Sequence, residues 1–255
     1  MRDLPTGRAI RRRHVKATAN PNQASHLPQP RGARRKLETR ARLLEAALLL
    51  MSEKSIDRVA INEITEAADV GFGSFYNHFE SKEEIFAALI DWAFEDFANT
   101  LDHVSCGLSD PAEVIAVAVR HILLRARREP VWARLLIREG SSARVLTRGL
   151  GQRLLRDSRR GIATKRFIVA DPLASVLSAI GSVLAGITAE LHFATSVENR
   201  SRERMSLGVC EEGLAERAAV VVLQALGLKR AEAEKIAQRP LPLVTPESNV
   251  DSRST

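Results

Sequence analysis

Residues 61–82 read INEITEAADVGFGSFYNHFESK, and this stretch decides the fold. Ile61, Ile64, Ala67 and Ala68 fall at the spacings of one helix face, which has to be buried against something. Val70 and Gly71 are expected to make a bend. Beyond it, Phe75 and Phe79 lie four residues apart and share an inner face, while Ser74, Asn77 and His78, with Tyr76, sit on or near the outer one. All four outward groups can hydrogen-bond. A helix-turn-helix needs this division, because apolar groups hold the second helix while short polar and aromatic groups reach base edges and phosphates in the major groove.

The flanks supply the rest of such a unit. From Glu38 to Met51, Ala41, Leu44, Leu48 and Met51 form an apolar stripe able to cover the pair of helices. Ser81 with Glu84 three residues later is a capping box. From there Ile85, Phe86, Leu89, Ala93, Phe94, Phe97 and Leu101 continue one apolar face for about six turns. A rod of that length can carry movement.

The run GFGSFYNHFESKEE, Gly71 to Glu84, resembles the signature of the tetracycline-repressor (TetR) family. In that pattern a valine, a small residue, a variable residue and a glycine precede a Thr/Ser–aromatic–Tyr–x–His/Tyr–Phe recognition helix. Val70, Gly71, Gly73, Ser74, Phe75, Tyr76, His78 and Phe79 fill those slots in order, and Ser81-Lys82 matches the opening of the next helix. The similarity reaches back to about Thr39. Two slots depart from it: Ala60 stands where many relatives cap the first helix with Thr or Ser, and Phe72 occupies a slot often held by Lys or Thr. Phe72 cannot donate a hydrogen bond but can press against a thymine methyl. The resemblance implies DNA contacts from Phe72, Gly73, Ser74, Tyr76, Asn77, His78 and Lys82, with Arg40 and Asn62 as further candidates.

Length and pattern predict an all-α chain of 255 residues, an N-terminal three-helix helix-turn-helix domain followed by a C-terminal helical ligand-binding and dimerisation domain. The expected divisions are a basic disordered arm over 1–33, the DNA-binding domain over 34–82, a connecting helix over 83–103, the effector and dimerisation domain over 104–239, and a flexible tail over 240–255. Asp110-Pro111 with Glu113 opens a helix to Arg128, and Pro130 separates it from the next, Val131 to Arg138. A third helix is expected over Ser142 to Arg160, bent at Gly149 and Gly151.

Leu173 to Ala189 is 17 residues without a charge, slightly short for a membrane span and rich in Ala, Gly and Ser. A buried soluble helix fits it better, capped by Asp171-Pro172, with Ala179, Gly181, Ala185 and Gly186 allowing close approach of another helix. Residues 214 to 226 form a second apolar face ending at Gly227, which suits a C-terminal cap. In the family the last two long helices form a four-helix dimer interface, so the resemblance implies a homodimer with Gly181, Leu184, Ala185, Leu214, Val221 and Val222 in the contact.

Charge is unevenly distributed around the total of +7. Residues 1–36 carry ten bases and one acid, residues 37–119 five and sixteen, residues 120–166 fourteen and three. The domain that reads DNA is therefore acidic, and its approach to a polyanion is expected to rest on Arg31, Arg34, Arg35 and Lys36 just before the first helix, with Arg40, Arg42 and Lys82. The basic middle segment reads as solvated faces and pairing with the acidic fourth helix, or as a site for an anionic or acyl effector among aliphatic walls. Trp132, Phe167, Arg138 and His121 are the candidate contacts for such an unidentified small molecule, and Phe193 is a further aromatic there.

Other classes fit less well. The six histidines show no metal-ligand spacing, and no phosphate-binding glycine loop, nucleophile elbow or paired-carboxylate motif is present, so neither an enzyme nor a cofactor is expected. Cys106 and Cys210, without a CxxC, read as reduced structural thiols. The charged start of the chain argues against a secretory signal and for a cytoplasmic, nucleoid-associated protein. A non-specific architectural DNA binder explains the arm and the helix-turn-helix, but not a second domain of more than a hundred residues. The preferred reading is a homodimeric regulator, most often a repressor in this family, binding double-stranded operator DNA.

Overall fold

The computed structural model describes residues 31–142, 146–195 and 213–243. Every regular element among them is helical. The chain divides into two compact units, residues 1–37 and 38–255. Residues 32–37 of the first are exposed and belong to the opening turns of α1 (Arg31–Glu53). Arg31, Arg34, Arg35 and Lys36 are thus inside the first helix and not ahead of it, because nothing between Arg31 and Glu38 breaks a helical pattern. Residues 1–30, where the distal arm falls, lie outside the described residues.

In the second unit the stripe of α1 is Leu43, Leu44, Ala47 and Met51, all buried, while Ala41 and Leu48 sit at its margin. A short 3-10 turn (Ile56–Arg58) leads to α2 (Ile61–Ala67). Ala60 offers no side-chain cap, so only half of a capping arrangement forms: Glu63 accepts the Ala60 N–H at 2.9 Å. Ile64 and Ala68 are buried as expected, but Ala67 is exposed and Thr65 takes the inner position. Thr65 is tolerated there because its hydroxyl donates to the Asn62 carbonyl at 3.0 Å.

The bend before α3 (Phe72–Tyr76) is made by Asp69, at φ +52°, and not by Gly71, whose φ is −65°. Asp69 tolerates the left-handed region better than most residues. Arg42 braces it, donating to its carbonyl at 2.8 Å and pairing with its carboxylate at 3.1 Å.

Ser81 caps α4 (Lys82–Ile90) by accepting the Glu84 N–H at 3.1 Å, and Glu84 accepts from the Glu80 N–H. The rod then passes through a π-helical turn (Asp91–Glu95) into α5 (Asp96–Val104). Its seam explains the turn. Ile85, Leu89, Ala93, Phe97 and Leu101 are spaced by four, and at 3.6 residues per turn each such step drifts by about 40°. One loosened turn returns the seam to the core, where all five are buried.

The remaining helices are α6 (Pro111–Arg128), α7 (Pro130–Glu139), α8 (Gly149–Ala163), α9 (Pro172–Thr195), α10 (Leu214–Ala225) and α11 (Arg230–Ala237). Asp110 caps α6 through the Ala112 N–H, and Asp171 caps α9 through those of Leu173 and Ala174. Gly149 starts α8 instead of bending it, and glycine suits the position because its φ is +53° and a Cβ there would press on Phe94. Gly227, at φ +91°, ends α10, with the Leu228 N–H returning to the Leu223 carbonyl.

α9 is long and apolar enough to cross a membrane by length and composition, yet it packs on α6, α7, α8 and α10 within the protomer. Only one stripe is buried, comprising Val176, Ala179, Val183, Ile187 and Glu190. The buried helix that the sequence predicts is thus buried along one side only, and Leu173, Leu177, Gly181 and Ala185 are exposed in the protomer.

Candidate nucleic-acid interface and ligand cavity

Two aromatic residues anchor α3 and two present themselves. Phe75 and Phe79 are sealed in the core with ring centroids 5.8 Å apart. Tyr76 meets Phe75 edge-on at 5.4 Å and Phe72 edge-on at 5.6 Å, while Tyr76 and Phe72 stay 52% and 54% exposed. The contacts hold both rings in place without covering them. Asn77 is exposed beside them, and Ser74 and His78 are half-buried. Around Gly71 and Gly73 an added Cβ would meet nothing, so the surface of the turn is open. Asn62 is exposed on α2.

The expected cations near this face are partly committed. The Arg40 guanidinium lies 4.8 Å over the Phe79 ring. Lys82 donates to the Asp57 carbonyl at 3.3 Å, a neutral partner that leaves its charge uncompensated. Arg42 is spent on the Asp69 turn.

Behind the reading unit, α5, α6, α7, α8 and α9 enclose a cavity of about 80 Å³. A water molecule needs roughly 10–15 Å³ of such space, so there is room for a ring-sized molecule. The walls are aliphatic, among them Leu101, Ile115, Val119, Leu136, Leu154 and Val183, and no described aromatic residue lines them. Polar groups enter from one side: Asp102 and Ser105 on or just after α5, Arg153 and Asp157 on α8. Burial alone would raise the Asp102 carboxyl, but hydrogen bonds from Arg156 and Arg153 outweigh it and hold it below the ordinary carboxylate range. The Ser105 hydroxyl is buried with no partner among the described residues.

None of the four sequence-based ligand contacts lines this cavity. Trp132 is 2% exposed and donates its indole N–H to the Ala93 carbonyl at 2.8 Å, with Arg125 stacked 4.6 Å from its ring. Arg138 donates to the Glu53 carbonyl at the end of α1, 2.8 Å away. Phe167 fills the space over Gly161, and the His121 Nε2 donates to the Pro242 carbonyl at 3.0 Å. The side chain of Phe193 and the whole of Cys210 lie outside the described residues, while Cys106 is exposed, not structural. The missed residues carried a signal in the opposed charges: the basic segment does pair with the acidic rod, through Arg148–Asp91, Arg153–Glu95, Arg153–Asp102 and Arg156–Asp102.

Of the expected interface residues, Gly181, Ala185 and Val221 are exposed and Leu214 is half-buried. Val222 is fully enclosed in its own protomer, and Leu184 lines the cavity. Gly186 and Ala179 likewise face inward, Gly186 against Leu123 and Ala218.

Residues 110–239 match the family described as "Tetracyclin repressor-like, C-terminal domain", and residues 43–89 match "Bacterial regulatory proteins, tetR family". The chain belongs to the TetR family. The crystal structure of RolR in complex with resorcinol is similar at 35% identity and a TM-score of 0.59, covering 84% of this chain and all of RolR. The repressor DhaR of Mycobacterium sp. strain GP1 is 39% identical over 62 residues, which is 24% of this chain and 31% of DhaR. The regulator AcrR of Shigella flexneri is 29% identical over 87 residues, 34% of this chain and 40% of AcrR. The chain thus spans about a third of the length of these two curated relatives. FadR from Bacillus subtilis, solved with stearoyl-CoA, shares the fold at 15% identity and a TM-score of 0.54, covering 73% of this chain and 97% of FadR. The family's members are transcriptional regulators and not enzymes.

Proposed function

We propose that this TetR-family protein is a homodimeric repressor that binds a specific operator and is released by a small, neutral, hydroxylated ring compound held in the α5–α9 cavity. The observation that carries the reading is the cavity's polar side, because its Asp102 lies on the same rod that carries the reading unit and is held there by Arg153 of α8. Asp102 can accept a hydroxyl proton and Arg153 can donate to the hydroxyl oxygen, while the aliphatic walls cover ring faces. Arg153 is already matched by Glu95 and Asp102, so the site offers no surplus positive charge for an anion. The resorcinol bound by the similar RolR has the favoured chemistry.

The dimer reading rests on the outward stripe of α9. Leu173, Leu177, Gly181 and Ala185 present apolar and small groups, and Val221 of α10 extends the same kind of surface. A second copy covers such a stripe by a twofold contact. Two reading helices would then lie about one DNA turn apart, roughly 34–36 Å.

The test starts with an operator selected by the protein from random duplexes. Footprinting is expected to show a protected palindrome, and resorcinol to lower affinity for it in wild-type protein but not in Asp102→Ala. Equal binding to all duplexes supports the architectural alternative and refutes the proposal.

A further inference from the structure

Arg153 stitches together one face of the rod. Its Nη1 pairs with Glu95 at 2.6 Å, its Nη2 donates to the Asn99 side chain at 2.5 Å, and its Nε donates to Asp102 at 3.0 Å. Residues 95, 99 and 102 follow each other at helical spacing, so a single guanidinium spans from the π-helical turn to the cavity. The first of them does more. Glu95 also accepts the Gly149 N–H at 2.9 Å, at the residue whose positive φ starts α8. The turn is gripped from two further points, by Arg148 on Asp91 at 3.2 Å and by the Trp132 indole on the Ala93 carbonyl. π-helical turns recur at functional sites, and this one lies between the reading unit and the cavity.

We propose that Arg153 and Glu95 form the clamp through which the cavity controls the reading unit. Every nitrogen of the guanidinium is committed to the rod, yet Arg153 lines the cavity. A hydroxylated ligand that donates to Asp102 takes up the carboxylate that Arg153 and Arg156 hold, and by accepting from Arg153 it pulls the guanidinium toward the cavity, so it competes with the hydrogen bonds that hold the rod. Sharing Arg153 loosens its hold on Glu95, the π turn is freed, and α4 shifts the helix-turn-helix. The ligand and the clamp compete for one side chain, which makes ligand and operator mutually antagonistic. The ligand part of this scheme rests on the cavity reading given above; the clamp itself does not.

Glu95 does not line the cavity, so it separates the two. Glu95→Gln keeps an acceptor for the Gly149 N–H and removes the charged pair. Without any ligand, operator affinity of Glu95→Gln is expected to fall at least fivefold, toward the 5–150-fold range of ordinary coupling, with melting temperature and sedimentation unchanged. Loss of a negative charge favours a polyanion, so a fall is not a general charge effect. Added resorcinol should then lower operator affinity further by a smaller factor than in the wild type. Wild-type operator affinity in Glu95→Gln overturns the proposal, and so does weakened affinity that retains the full wild-type response to resorcinol. If calorimetry shows no resorcinol binding to the wild type, the ligand assignment fails, and the ligand-free operator affinity of Glu95→Gln alone decides the clamp.

Discussion

Tyr76 is the side chain on which the proposed reading of DNA turns most visibly. Its ring is fixed edge-on between Phe72 and Phe75, so its hydroxyl is held in one direction at little entropic cost. Tyr76→Phe keeps the ring and is expected to weaken operator binding by about 0.5–1.5 kcal/mol, the worth of one hydrogen bond. Asn77→Ala should instead relax base preference at one position, where a bidentate contact is worth roughly 1–3 kcal/mol. Lys82→Ala should weaken all duplexes alike and reduce the salt slope by about one. Competition binding over a salt series separates the three patterns, and three variants indistinguishable from wild type would remove α3 from the interface. The exposure of Tyr76 and Asn77 and the burial of Phe75 and Phe79 were legible because they follow from neighbouring positions on and just after one short helix. Asp102 and Arg153 were not, because their meaning depends on a partner about fifty residues away, and periodicity carries no information about that pairing.

Helix starts and ends were legible wherever a capping side chain or a proline sets them. Asp110, Asp171, Ser81 and Gly227 each act locally through one or two backbone groups. The π-helical turn was read as plain helix, although the four-residue spacing from Ile85 to Leu101 already required an underwound rod. A second element-scale feature is the segment after α11, which lies along α6. Arg120 donates to the Arg239 carbonyl at 2.7 Å and pairs with Glu216, Arg239 pairs with Glu113, and His121 holds the Pro242 carbonyl. A carbonyl only accepts, so Nε2 carries the proton in neutral His121. Burial pushes the His121 pKa down, opposed by the bond to Pro242, with Arg120 and Arg128 adding to the fall. The folded value is therefore below the unfolded one. Protons bind the unfolded state more readily, and the stability present above the unfolded value of about 6.5 is lost as pH falls through the folded value. Melting temperature should drop between pH 7 and 5, and drop less in His121→Gln. Parallel profiles for the two proteins would detach the segment's stability from this histidine. Packing in the same domain offers a simpler check: Gly161→Ala drives a methyl into the Phe167 ring and should cost about 1–3 kcal/mol in denaturant unfolding, whereas unchanged stability would place Phe167 elsewhere.

At the scale of the molecule, the all-helical architecture and the family followed from sequence, but the division of α9 into inner and outer stripes did not. Ala179 and Gly186 look interchangeable with Gly181 and Ala185 as small residues, and only the packing of α6 and α10 separates them. That separation gives a clean test of the proposed dimer. Nothing lies within 4 Å of a Cβ at Gly181, so Gly181→Glu leaves the protomer intact and disturbs only a partner. It should give folded monomers with poor operator affinity; an unaltered dimer in sedimentation would move the interface. Deleting residues 1–30, which carry six of the bases ahead of α1, should lower affinity for any duplex most at low salt, because such charges act by counterion release.

The central claim is that one cavity and one reading face are thermodynamically coupled. Calorimetry of resorcinol binding to the free protein and to the operator-saturated protein measures that coupling directly. The account predicts weaker ligand binding to the operator complex, by the same factor, within about 5–150, that resorcinol imposes on operator affinity. Equal ligand affinity in the two forms would contradict it.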